Sequence, residues 1–467
     1  MNKPLRYLSL VLGLMFFALL ANVTASYVVR TDSLIQDPKN TRVRDAQFGA
    51  HRGDILAGNT PIAGNEYLGV RPFLNQRTYA NGPLYAPITG FYSYNYGYSG
   101  LEMTYNDVLT GQADSQFIAR ILDTLSGREP QGGNILTTID PNAQQVAWDA
   151  LGGRKGAIFA YDYTTGEVKV WVSSPSYDPG ALANTDIDST VGAWEQLSSD
   201  PNNPMADRAT REIYPPGSTF KLVVTATALA NGYTPDQLID TPAQLQLPQS
   251  NNVLPNSTPC GNSQQTLDRA LQLSCNTTFA NLGMALGADK IRSQAEKFGF
   301  GERLGIDIGD VASKYPGEMS QAELAMASIG QFNVSASVMQ MAVVAGSIAN
   351  DGVVMRPHIV SEIRDSNQRV IRRVEPEKFG DAMSLENAAA LQTMMQHVVS
   401  EGTATPVQIA GEEIGGKTGT AENATDQSFS WFTGYMKSSH IAIAVFLAEP
   451  GNDWATPLAR PVLEALR

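Results

Sequence analysis

One serine in this chain stands three residues before a lysine: Ser218-Thr219-Phe220-Lys221, directly after Tyr214-Pro215-Pro216-Gly217. Pro-Pro-Gly cannot continue a regular element, so a helix is expected to begin at about Ser218 and to run to Asn231-Gly232. Residues three apart on a helix share a face, which brings the hydroxyl and the amine within mutual reach. A neutral lysine beside a serine can take its proton during nucleophilic attack, and the free N–H groups of a helix start can stabilise the oxyanion that forms. That would be acyl transfer through a serine ester. With 33 serines and 11 lysines, chance alone supplies about one such pair, and a serine at a helix start is ordinarily a cap. The pair needs partners.

Two further segments offer them. Lys417-Thr418-Gly419-Thr420 falls on an expected strand, where Gly419 would let a ligand backbone lie close to the strand edge. Lys417 and the two threonines present charge and hydroxyls suited to a carboxylate. Placed near Lys221, Lys417 would also lower its pKa by like-charge repulsion, as a lysine base requires. Ser-x-Asn occurs three times, at Ser93-Asn95, Ser250-Asn252 and Ser274-Asn276. Ser274-Cys275-Asn276 lies between LDRALQL and TTFANLGMAL, at a turn between two helical patterns that can hold a side chain rigidly. It is the candidate chosen.

The elements around these residues follow from the same reading. Asp140-Pro141 followed by NAQQVAWDAL predicts an N-capped helix with proline in its first turn, ended by Gly152-Gly153. GAIFAYDYTTGEVKVWVSS predicts a hairpin turning at Thr164-Thr165-Gly166. From 217 to about 400 the apolar spacing is mostly helical. Three strand-like runs then appear at Ile414–Glu422, Ser430–Met436 and His440–Ala448, and PLARPVLEALR can close as a helix. Hairpin first, helices between and strands last describe an α+β arrangement, an antiparallel sheet flanked by helices. The tyrosine-rich run FYSYNYGYSG at 91–100 reads as a loop or edge strand without chemistry.

Composition narrows the function classes. The chain has 467 residues, a formal net charge of −13, four histidines and two cysteines. No basic cluster supports nucleic-acid binding, no histidine spacing suits zinc hydrolysis, and no cofactor or metal is expected. Tyr7 to Val29 carries no charged side chain and is long enough to cross a bilayer, with Lys3 and Arg6 before it favouring a cytoplasmic N-terminus. A single uncleaved anchor in the cytoplasmic membrane is expected, with the remainder extracytoplasmic; the rival is a signal peptide cut after Val23-Thr24-Ala25. In an oxidising outside, Cys260 and Cys275 could bridge or remain two free thiols. The expected domains are residues 1–30 as tip and anchor, 31–155 as a non-catalytic domain, and 156–467 as the catalytic domain.

Taken in order, Ser218–Lys221, Ser274–Asn276 and Lys417–Thr420 resemble the motif set of the serine penicillin-binding transpeptidases. The closest likeness is to the class B, monofunctional type, in its small single-anchor actinobacterial subgroup. Other segments resemble the same family: Arg52-Gly53-Asp54-Ile55, Gly100-Leu101-Glu102 with Tyr105 and Leu109, LTTIDPNAQQVAWDAL, IGQFNVSASVMQMA, ANDG, Glu401-Gly402-Thr403-Ala404 and Ser430-Trp431-Phe432-Thr433-Gly434. The resemblance implies a penicillin-binding transpeptidase domain. Ser218 would be the nucleophile, acylated by peptidoglycan stem peptides ending in D-Ala-D-Ala, with Lys221 as base. Ser274 would relay a proton, Asn276 would orient substrate and Lys221, and Lys417 would complete the electrostatics. Thr418 and Thr420 would receive the terminal carboxylate, and the backbone N–H groups of Ser218 and Thr420 would form the oxyanion hole. β-Lactams would acylate Ser218 covalently. No glycosyltransferase segment is seen, so a polytopic glycan polymerase is implied as partner. A D,D-carboxypeptidase or β-lactamase using water, or a non-enzymatic β-lactam or muropeptide sensor, are the alternatives.

Overall fold

The apolar N-terminal stretch folds as α1 (Lys3–Ile35) in a computed structural model that describes residues 3–35, 41–117, 120–121, 125–127, 131–261, 263–422, 428–449 and 454–467. Within it, an 18-residue window of Lys3–Tyr27 reaches a mean hydropathy of 2.1, and none of that window is buried. At 1.5 Å per residue these 25 residues span about 37 Å, enough for a hydrocarbon core. They belong to a unit of Met1–His51 with Glu66–Gln76; a second unit comprises Arg52–Asn65 with Arg77–Arg467. In the first, Phe48 meets Phe73 edge-on at 5.2 Å and the Asn75 amide donates to the Gly49 carbonyl.

The second unit begins with the hairpin β1 (Ile55–Ala57) and β2 (Thr60–Tyr67), and β1 runs parallel to β3 (Asn134–Thr137). Arg52, just before β1, places its guanidinium 2.8 Å from Glu102, and Arg77 approaches the other carboxylate oxygen at 2.6 Å. Burial alone would push the Glu102 carboxyl up, but the two arginines hold it below its usual range. A buried carboxylate needs such partners. These contacts give the RGDI and GLE segments a structural role.

Next come α2 (Pro141–Leu151) and the hairpin of β4 (Gly156–Asp162) and β5 (Val168–Ser174). Asp140 caps α2 by accepting from the Ala143 N–H at 2.8 Å, and Gly152 ends it at φ +57°. The helices α3 (Lys221–Ala230), α4 (Leu267–Leu273), α5 (Asn276–Leu286) and α6 (Val338–Ala349) follow. Then come β6 (Val360–Arg364), β7 (Val370–Arg373), α7 (Leu385–Ser400), β8 (Ile414–Glu422), β9 (Ser428–Met436), β10 (Ile441–Leu447) and α8 (Thr456–Ala465). The tyrosine-rich run forms a short hairpin, Tyr92–Ser93 against Gly97–Tyr98.

The antiparallel sheet expected from the sequence is present, in the order β8-β9-β10-β4-β5. Every residue of β10 is buried, as in a sheet covered by helices on both faces. Its composition sets how near they come. Ala442 and Ala444 alternate with Ile441, Ile443 and Val445, and α6 crosses the small-residue face with Gly346 against Tyr161. A Cβ at Gly346 would lie 2.2 Å from the Tyr161 hydroxyl and 3.0 Å from Ala442. Thr433 on β9 also donates to the Met341 carbonyl of α6 at 2.7 Å.

The stretch 217–400, read from its spacing as mostly helical, also holds strands: β6 and β7 form a hairpin that joins the other sheet in the order β7-β6-β3-β1-β2, followed by the strand Asn75–Tyr79. Its strands are short and charged, and Asp365 folds its own turn by accepting from the N–H groups of Asn367 and Arg369. A sheet partner more than 200 residues away leaves no local signature. Residues on both sides of position 155 thus share one sheet.

Candidate active site

Ser218 sits in a tight first turn, Gly217–Phe220, of 3₁₀ form, and the α-helix proper starts only at Lys221. The expected helix start is therefore three residues early. Gly217 takes φ +52°, a left-handed conformation that favours glycine. The turn is clamped from several sides. The Gly217 N–H donates to the Gly330 carbonyl at 3.0 Å, the Trp431 indole N–H donates to the Pro215 carbonyl at 3.0 Å, and Tyr214 pairs with Ala336. A Cβ on Gly217 would lie 2.3 Å from the Thr420 carbonyl oxygen, and one on Gly419 would lie 2.9 Å from the Thr219 methyl. One glycine from each motif thus lets the serine turn and β8 meet at backbone distance. The bare Cα of Gly419, read from sequence as room for a ligand, faces the serine turn.

Ser274 ends α4 in a left-handed conformation, φ +60°, and Asn276 opens α5. Between them Cys275 is disulfide-bonded to Cys260. Lys221 Nζ donates to the Ser274 carbonyl at 2.9 Å and to Asn276 Oδ1 at 2.8 Å, with Ser274 Oγ 3.3 Å away. Lys417 Nζ donates to the same Ser274 Oγ at 2.9 Å and to the Thr418 carbonyl at 3.0 Å. Ser274 Oγ is the atom that joins the two lysines. Thr418 Oγ1 lies 2.6 Å from Thr403 Oγ1, and Asn276 is held by donating to the Pro255 carbonyl.

Both lysines are fully buried. Burial, and secondarily the neighbouring Lys417, push the Lys221 amine well below its usual pKa; burial alone lowers Lys417 to about 7. No carboxylate bonds to either amine among the described residues. A neutral Lys221 has two N–H groups, matching its two short acceptors, and one lone pair left over. That lone pair is a base.

The motifs converge on a cleft of about 590 Å³ lined by Ser218, Ser274, Asn276, Thr418, Gly419 and Thr420. Ser93-Asn95 and Ser250-Asn252 lie elsewhere: Ser93 is in the tyrosine-rich hairpin, and Ser250 Oγ accepts from the Asn252 N–H in a surface turn. The cleft also holds residues that motif reasoning did not single out, Gln331, Thr403, Glu422 and Trp454. Thr403 and Gln331 lay inside recognised segments; Glu422 and Trp454 carry no sequence signal apart from their neighbours. Among the described residues no group of three or more His, Cys, Asp or Glu side chains could hold a metal ion.

A serine-bearing turn, two buried lysines and a bridging serine at the edge of an antiparallel sheet define an acyl-transfer site of the serine-lysine class. The chain belongs to the penicillin-binding protein transpeptidase family: residues 156–466 match its transpeptidase domain, and residues 52–135 match the penicillin-binding protein A dimerisation domain. It is similar to the peptidoglycan D,D-transpeptidase PbpA of Mycolicibacterium smegmatis, 37% identical over 487 residues covering 100% of this chain and 99% of that protein. The PbpA of Mycobacterium tuberculosis is 36% identical with the same coverage. Among solved structures, the penicillin G acyl-enzyme complex of penicillin-binding protein A from M. tuberculosis superposes with a TM-score of 0.84 at 36% identity, covering 89% of this chain and 99% of that one. Its imipenem acyl-enzyme complex gives 0.85 at 35% identity, covering 90% and 99%.

Proposed function

We propose that this chain is a membrane-anchored peptidoglycan D,D-transpeptidase that works through a Ser218 acyl-enzyme. The observation that carries the reading is the uncharged-prone Lys221 amine, buried one helical turn from Ser218 and committed through both short hydrogen bonds to the Ser274–Asn276 segment. Its remaining lone pair takes the Ser218 proton as Oγ bonds to the carbonyl carbon of the penultimate D-Ala. The negative charge on that carbonyl oxygen falls to the N–H groups of Ser218 and Thr420. Thr418 and Thr420 hold the terminal carboxylate, with Lys417 supplying positive charge behind them. When the C–N bond breaks, the proton returns from Lys221 through Ser274 Oγ to the leaving D-Ala amine. An amine of a second stem peptide then attacks the ester, losing a proton to Lys221, and as the ester C–O bond breaks Ser218 Oγ takes that proton back, leaving the cross-link made and both groups restored. A β-lactam follows the first half of this path and stops there.

The relatives named as D,D-transpeptidases and their β-lactam acyl-enzyme structures support this reading. The apolar helix and its preceding Lys3 and Arg6 support an inner N-terminus with the site on the outer side of the membrane. The test is the full chain in detergent. Ser218→Ala should abolish covalent labelling by fluorescent penicillin while unfolding as cooperatively as the parent; residual labelling would move the nucleophile elsewhere. With a D-Ala-D-Ala thioester and an added amine acceptor, transfer product should exceed hydrolysis product. Hydrolysis alone would make it a carboxypeptidase, and rapid release of penicilloate a β-lactamase.

A further inference from the structure

One apolar feature far from the motifs in sequence plays no part in the proposed reaction. After Tyr67, the loop between β2 and the strand Asn75–Tyr79 reads Leu68-Gly69-Val70-Arg71-Pro72-Phe73-Leu74. Loop tips are ordinarily built from Gly, Asn, Asp and Ser. Here Tyr67 is 75% exposed and Val70 67%, with Arg71 and Pro72 exposed beside them. This is not the exposure of a frayed segment. The N–H groups of Leu68 and Gly69 both donate to the Leu74 carbonyl, at 2.8 and 3.2 Å, with Gly69 at φ +67°. Asn75 donates to the Gly49 carbonyl through its backbone N–H at 3.2 Å and its side-chain amide at 2.9 Å. Phe73 packs on Phe48. The base of the loop is fastened while Tyr67 and Val70 stay uncovered.

The place where it is fastened says what covers them. Phe48 ends the short helix Thr41–Phe48, the first described element after α1, and Gly49 follows it. Phe48 is 21 positions beyond Tyr27, where the apolar span ends. With α1 continuing to Ile35, that length of chain holds the base of the loop within about 40 Å of the span's end. A tyrosine, a valine and an arginine suit the boundary of a bilayer. The phenol ring sits at headgroup level, the aliphatic side chain enters the acyl region and the guanidinium meets phosphate. Glu66 is exposed too and offsets Arg71, so the attraction is chiefly apolar. Two uncovered side chains fall far short of the roughly 800 Å² per partner that a stable dimer buries. We propose that the loop tip from Tyr67 to Pro72 docks on the membrane that α1 crosses, giving this unit a second lipid contact. The inference rests on the reading of α1 as a membrane span.

Both native cysteines are bridged, so one introduced cysteine is the only thiol available to label. The full chain is reconstituted in vesicles of phosphatidylcholine and phosphatidylglycerol with a nitroxide at one of three positions. These are Val70→Cys, Leu14→Cys within the span, and Val253→Cys, a site 48% exposed in the other unit. Electron paramagnetic resonance compares relaxation by oxygen, which concentrates in lipid, with relaxation by a water-soluble nickel chelate. The Val70 label should lie about 5–10 Å into the headgroup and acyl boundary, the Leu14 label deep in the bilayer and the Val253 label in water. Adding Tyr67→Ser should shift the Val70 label toward water, showing that the loop inserts and not the probe alone. A Val70 label as open to nickel as the Val253 label overturns the inference, as does one unmoved by Tyr67→Ser. Dipolar broadening between Val70 labels would make the loop a contact between copies and overturn it too. A Leu14 label in water would remove the anchor itself, and the docking with it.

Discussion

At the scale of single residues, the site consists of two lysines sharing one serine hydroxyl, and their burial dictates a pH dependence. In the proposed mechanism Lys221 is a base only when neutral, so acylation should rise with pH through its depressed pKa. Lys417 is there a countercharge only when protonated, so acylation of a carboxylate-bearing β-lactam should fall again as pH passes about 7. The second-order rate constant for penicillin G, followed from pH 4 to 10, should trace a bell. A rate still climbing at pH 10 would remove the countercharge role from Lys417. Lys221→Ala should slow acylation by roughly 10²–10⁴-fold, the usual contribution of a positioned base, read by stopped-flow with a chromogenic cephalosporin. The chemical identity of these residues was legible in the sequence because each motif is local and its residue types are informative. Ser274 Oγ as the shared atom was not, since the left-handed backbone that aims it belongs to a non-glycine residue with no cue in its neighbours. Glu422 was invisible for the opposite reason: an exposed glutamate at the end of a strand is ordinary until a cleft forms beside it.

At the scale of elements, the site depends on how closely a turn and a strand can approach. Gly217→Ala should both strain a left-handed φ and drive a methyl into the Thr420 carbonyl, destabilising the fold by at least about 1–2 kcal/mol. Because the displaced atoms carry Ser218, the acylation rate should drop at least ten-fold at a temperature where the variant remains folded; a parental rate would mean the turn relaxes without moving the serine. Gly192→Ala is the contrast. It lies inside the helix Ile187–Ser199 with nothing within 4 Å of the added methyl, so it should stabilise by about 0.5–1 kcal/mol in thermal unfolding. The bridge between Cys260 and Cys275 fixes the segment that carries Ser274 and Asn276. Replacing both cysteines by alanine should cost about 2–4 kcal/mol, the typical effect of opening a loop of this size, and should slow acylation by loosening the hold on Lys221. Element boundaries with strong caps, such as Asp140 and Gly152, were readable from sequence. The 3₁₀ turn before Lys221 was not, because clamps from Gly330, Trp431 and Ala336 impose it from outside.

At the scale of the whole molecule, the sequence divides near residue 155 but the sheet β7-β6-β3-β1-β2 does not. Starting the chain at residue 156 would leave the edge of β6 without β3, exposing unpaired backbone groups. Such a fragment should aggregate or unfold at a lower temperature than one beginning at Arg52, as light scattering during a thermal ramp would show; equal behaviour would mean that the β6–β7 hairpin stands alone. Pairing across this distance was beyond sequence reading because VSEIRDSNQRVIRR shows neither a long apolar run nor clean alternation. Both sheets share this trait: β3 waits for β6, and β4, synthesised early, lies between β5 and the late strand β10. A chain emerging N-terminus first can therefore complete its first sheet only after residue 373 has appeared, and its second only after residue 447. Loop closure on that scale makes folding slow and leaves strand edges open throughout emergence. The same long-range stitching seats the last strand of the chain, β10, between β9 and β4, so it cannot leave without breaking two ladders, and the architecture that burdens maturation also protects the finished fold against local opening.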